Sequence, residues 1–132
     1  MNRWIFSASI VSGLTLLIHT FAGESLFHAP ALQSNLSIEN KMVLSVVWHG
    51  ITSVMVLSFV ALILAVRSAQ DKKSLLLFIA AQYAAMAGLF IGFGLFRLGS
   101  LFIMPQWTIL LALAALIFAG TRAARPSIGD QK

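Results

Sequence analysis

The stretch 43–66, VLSVVWHGITSVMVLSFVALILAV, carries no charged side chain over a length sufficient for an α-helix to cross a bilayer. A spanning helix takes about 20 mostly apolar residues. Inside hydrocarbon only helices and closed barrels satisfy every backbone amide and carbonyl. The stretch therefore reads as a membrane span. Its polar residues are not scattered, because Ser45, His49, Thr52 and Ser53 recur at helical spacing and form a stripe along one face.

Three further apolar runs, at about 4–23, 74–96 and 101–120, have the same character. Together the four runs use most of the 132 residues and predict a single all-α transmembrane domain over 1–132, a polytopic four-helix bundle. Composition agrees. With 59% hydrophobic and 10% charged residues and a mean hydropathy of +0.92, a soluble globule of this size would lack the polar surface to cover itself. The net charge of +5 comes from basic residues at segment ends, where topology and anionic lipid account for them, and no nucleic-acid partner is implied. The absence of cysteine excludes disulfides, thiolate metal sites and cysteine nucleophiles within the chain.

The connections set the orientation. Residues 24–42 read as a long solvated loop containing His28-Ala29-Pro30 and a polar run from Gln33 to Lys41, with Ser37 a candidate cap for the second span. The second connection, 67–73, is short and charged, and Arg97-Leu98-Gly99-Ser100 predicts a helix end and a tight turn. Pro105 falls where a missing amide costs least, near the start of the fourth span. Four spans place both termini on one side, together with Arg3, Arg67, Lys72, Lys73, Arg122, Arg125 and Lys132, against only Lys41 and Arg97 opposite. By the positive-inside rule the termini are cytoplasmic, and 121–132 forms a short, mobile basic tail. Arg3 followed by an apolar run and small residues near Ala22 also fits a secretory signal loosely, but cleavage there would discard His19, and a retained first span is the better reading.

Alternation of the spans gathers His19, Glu24, His28, His49, Arg97 and Gln106 at the face opposite the termini. Ser12, Thr15 and His19 form a stripe on the first span that should meet the Ser45 stripe on the second, since a hydroxyl or imidazole turned to lipid loses its hydrogen bonds. Packing alone accounts for such stripes; ionisable groups within a membrane also mark functional sites. His19 and His49 are expected to be the inward pair. Glu24 and His28, four apart, would share a face if the first helix continued past Gly23, although Pro30 opposes that extension.

Chemically, His19, His49, Glu24 and His28 would suffice for a divalent transition metal, with Arg97, Gln106, Ser45 and Thr15 lining the pocket. His19 and His49 alone would allow a bis-imidazole haem b. Arg97 is the expected counter-ion of Glu24. In the third span Gly88 and Gly92, among several alanines, form a small-residue face suited to packing within the bundle or to self-association, and Gln82 and Tyr83 are expected to bond across it.

The stretches Ile18-His19-Thr20-Phe21-Ala22-Gly23-Glu24, Val47-Trp48-His49-Gly50 and Gly94-Leu95-Phe96-Arg97-Leu98-Gly99-Ser100-Leu101-Phe102 resemble those of small four-span bacterial inner-membrane proteins. The resemblance spans the chain loosely and implies a bacterial inner membrane with the histidines at the periplasmic end; it brings no chemistry with it. A proton-coupled antiporter would require a carboxylate inside the first span, and none precedes Glu24. A hydrolase would need a nucleophile, a base and an orienting acid; serines and histidines supply two of these, and no aspartate lies on the outer side. Two readings stay open: a non-catalytic accessory or small-ligand-binding protein in the lipid bilayer, as a homo-oligomer or part of a larger membrane complex, or a metal or haem protein using His19 and His49.

Overall fold

The computed structural model describes residues 2–68 and 72–123; part of the charged second connection and the tail beyond 123 lie outside the described residues. Their only regular secondary structure is helical, with no strand among them, in four helices: α1 (Arg3–Gln33), α2 (Ile38–Arg67), α3 (Lys73–Leu98) and α4 (Trp107–Ala123). Helices α1, α2 and α3 are long and apolar enough to cross a membrane, whereas α4 is a shorter apolar helix of 17 residues. Large apolar side chains stay uncovered along them, as at Phe96, Phe102, Val46 and Phe21, consistent with contact to lipid.

Each helix end has a local cause. Asn2 caps α1, its side-chain oxygen accepting from the amides of Trp4 and Ile5, while its Nδ2 donates to the Gly120 carbonyl at 2.8 Å and ties the start of α1 to the end of α4. Ser37 caps α2 by accepting from the Asn40 amide. Gly99, at φ 66°, ends α3 in the left-handed region that glycine enters without a Cβ penalty, and the Ser100 amide closes back onto the Gly94 carbonyl at 3.0 Å.

Two segments depart from the sequence reading. The loop expected over 24–42 is helical through Gln33 and again from Ile38, so only 34–37 are left outside the helices. Pro30 does not prevent this: it stands near the end of α1, at the start of the final α-helical segment, Ala29–Gln33, where its fixed φ suits the helix and only three residues follow. Conversely, the run expected to span from residue 101 becomes helical only at Trp107. The intervening residues are held by the Trp107 indole, whose Nε1 donates to the Leu101 carbonyl at 3.1 Å.

Helix α1 packs along α2 and α4, and α4 packs along α3. The core lies in the half of the structure that holds the start of α1, where Ile5, Ala8, Leu62, Ile79, Tyr83, Leu113 and Ile117 close on one another. Gly120 permits the nearest approach: a Cβ there would collide with Ile5 and come within 3.3 Å of the Trp4 Cβ. Two polar contacts cross this region, as expected of Gln82 and Tyr83. The fully buried Tyr83 hydroxyl shares a hydrogen bond with Ser12 at 2.9 Å, and Gln82 Nε2 donates to Ser58 at 3.1 Å, joining α3 to α1 and to α2. Gly88 and Gly92 do not serve packing within the chain, since a Cβ on either would meet nothing within 4 Å.

Candidate functional site

The middle of α1 is wound differently from its ends. Over Ile18–His28 the helix is a π-helix, with amides bonding five residues back, as the Ala29 amide does to the Glu24 carbonyl at its end. This winding determines which side chains share a face. At about 3.6 residues per turn, the nine residues from His19 to His28 would make two and a half turns and put the two rings on opposite sides. With bonds to the fifth residue each turn takes more than four residues, so the same nine make close to two turns and the rings return to one side. His19, Gly23, Glu24 and His28 thus face α2 together.

On α2 the facing residues are Ser45, Trp48, His49 and Thr52, one or two per turn. The Trp48 indole enters between the two histidines of α1. Its ring is stacked on His19 with centroids 4.2 Å apart and lies parallel to His28 at 5.3 Å and 2°. It can do so because Gly23 has no side chain: a Cβ there would stand 2.9 Å from Trp48 Cη2.

Both imidazoles are oriented by hydrogen bonds. Glu24 holds His28 Nδ1 with its two carboxylate oxygens at 2.8 and 2.9 Å. A carboxylate only accepts, so Nδ1 carries a proton, and Nε2 lies 3.0 Å from the Ser45 hydroxyl, from which it accepts in the neutral form of the ring. The His28 side chain is 4% exposed, whereas that of Glu24 is 41% exposed. Thr52 donates to the Trp48 carbonyl at 3.0 Å, so His19 Nε2–H donates to the Thr52 oxygen, also at 3.0 Å. His49 is exposed and meets His28 edge-on at 5.4 Å.

The expected cluster is thereby redrawn. His19 and His49 do not form the inward pair; Trp48 takes the place beside His19, and His28, read as a loop residue, becomes the buried centre. The expected metal set of His19, His49, Glu24 and His28 does not converge: among the described residues no group of three or more His, Asp or Glu side chains is placed to hold a metal ion. Trp48, which a haem between His19 and His49 would require to turn away, is stacked on His19. Glu24 pairs with His28 rather than with Arg97, which is exposed at the end of α3. Thr15 is buried but bonds its own helix at the Val11 carbonyl, 2.7 Å away. Gln106 is half-buried before α4, its Oε1 without a hydrogen-bond partner.

Only α1 and α2 build the site. An apolar groove of about 480 Å³ between the same helices is lined by Phe6, Gly13 and Phe59, and another of about 590 Å³ by Gly50, Gln82 and Met104; neither includes a histidine. Comparison of the chain with protein-family models, with curated proteins and with solved structures gives no match.

Proposed function

We propose that the chain is a four-helix integral protein of a bacterial inner membrane, with both termini cytoplasmic, that binds a small ligand at the polar face shared by α1 and α2 near the periplasmic surface. The observation that carries this reading is the fixed donor and acceptor set Glu24–His28–Ser45. It is backed by the Trp48 ring and exposed at Glu24. Groups held this firmly at a helix–helix junction are pre-organised for a partner with complementary polar atoms. The open Gly88 and Gly92 face of α3 suits contact with a second transmembrane helix, in a homo-oligomer or a larger complex. The donor geometry gives no comparable support to a metal or haem protein.

The test uses the full chain in nanodiscs, with Trp4 and Trp107 replaced by Phe so that fluorescence reports on Trp48. Titration with a panel of small polar and amphiphilic compounds is expected to find a saturable change that His28→Ala removes. A flat response across the panel, from protein with intact helicity, overturns the reading.

A further inference from the structure

The three groups at the centre of the site stand in an order with a definite chemical meaning. A hydroxyl on a base that is itself oriented by a carboxylate is the arrangement that activates serine for nucleophilic attack, and it is recognised by geometry rather than by fold or chain order. Here Ser45 Oγ lies 3.0 Å from His28 Nε2, and His28 Nδ1 lies 2.8 Å from Glu24. Both separations fall within the range required of a nucleophile, its base and its orienter. The tautomer is the required one, because Glu24 fixes the proton on Nδ1 and leaves Nε2 free to accept. Trp48, parallel to the imidazole, holds the ring plane. Glutamate supplies the acid that a search for aspartate does not find.

We infer that Glu24, His28 and Ser45 form an acyl-transfer relay with Ser45 as nucleophile, acting on carboxylic esters of amphiphiles at the membrane surface. The surroundings support that substrate class. Phe27, next to His28 on α1, and Met42 and Val46, within a turn of Ser45 on α2, are exposed apolar side chains, a surface along which an acyl chain lies while its ester carbonyl reaches Ser45. Lys41, one turn before Ser45 on α2, shares its side of the helix and is the cation nearest to it in the chain.

In the first step Ser45 Oγ bonds to the acyl carbon and its proton passes to His28 Nε2. The bond from carbon to the alcohol oxygen then breaks, and His28 returns the proton to the departing alcohol. Water attacks the acyl-serine in the second step, giving its proton to His28, and Ser45 Oγ leaves as the hydroxyl after taking that proton back. Ester and water become acid and alcohol, while Glu24 positions the imidazole.

This inference rests on the ligand-binding reading for its site, and the experiment separates the two. The full chain in detergent micelles is treated with an alkyl fluorophosphonate, and the modified residue is located by peptide mass spectrometry. Ser45 is expected to carry the label, Ser45→Ala to abolish it, and Ser53→Ala, on the same helix outside the relay, to leave it unchanged. Glu24→Gln and His28→Gln are expected to slow labelling by about 100-fold or more, and hydrolysis of a p-nitrophenyl ester of a medium-chain acid should follow the same order. Circular dichroism of each variant shows that the helices are intact. An unlabelled Ser45 in folded protein, or labelling that Glu24→Gln and His28→Gln leave unchanged, overturns the relay even where the fluorescence titration shows binding.

Discussion

Trp48 and His28 lie parallel to within 2°, their centroids 5.3 Å apart, although they come from different helices and His28 belongs to a stretch with the composition of a loop. The stack fastens α1 to α2 at the end away from the apolar core. It buries the one imidazole whose two nitrogens are both engaged by side chains.

Trp48→Ala is expected to be the most damaging single change in this region, at about 3 kcal/mol, because it removes both stacks and the contact over Gly23. Val46→Ala, two residues away and exposed, should cost less than about 0.5 kcal/mol. Thermal unfolding in nanodiscs, followed by circular dichroism, compares them.

Gly23→Ala places a methyl group 2.9 Å from Trp48 Cη2 and forces the indole to shift, at a cost of about 1–3 kcal/mol. The emission of Trp48 should change with it. Gly88→Ala and Gly92→Ala meet open space and are expected to leave the isolated protomer as stable as before or more so. Equal losses at all three positions would show that Gly23 has no special role.

His28→Ala leaves the Ser45 hydroxyl and the Glu24 carboxylate without their shared partner and is expected to cost about 2 kcal/mol. Because Glu24 is 41% exposed and solvent screens its charge, Glu24→Gln should cost no more than about 1 kcal/mol. Chemical denaturation in detergent gives both values, and a larger loss for Glu24→Gln would contradict the assignment of His28 as the centre.

Tyr83→Phe strands the Ser12 hydroxyl in the core and is expected to destabilise by about 1–2 kcal/mol. Combined with Ser12→Ala, the loss should be smaller than the sum of the two single losses, since each removes the same hydrogen bond. Strict additivity would mean that the bond contributes nothing.

Much of this architecture was legible before any coordinates. The uninterrupted apolar run at 43–66 specifies a helix because no water is available in hydrocarbon to satisfy an open backbone. Gly99 marks the end of α3 because few other residues enter the left-handed region without strain. Of the Ser45, His49, Thr52 and Ser53 stripe, Ser45 and Thr52 mark the face that α2 turns to α1, whereas His49 and Ser53 are exposed.

The end of α1 is where composition misleads. The polar, Pro-containing stretch from residue 24 reads as a loop, which leaves His28 without a helical face, and composition carries no mark of the change in winding over Ile18–His28. Tertiary contact decides it: the π-helical turns bring His19, Gly23, Glu24 and His28 onto one face, where a single indole fits between the rings over the bare backbone of Gly23. Sequence alone determined that the chain is helical, which runs are apolar enough for a membrane, and that histidines, a carboxylate and serines collect near one end. Which of them touch was decided by the packing of α1 on α2, because hydrogen-bond partners lie on separate helices and their register depends on a winding that only the folded pair stabilises.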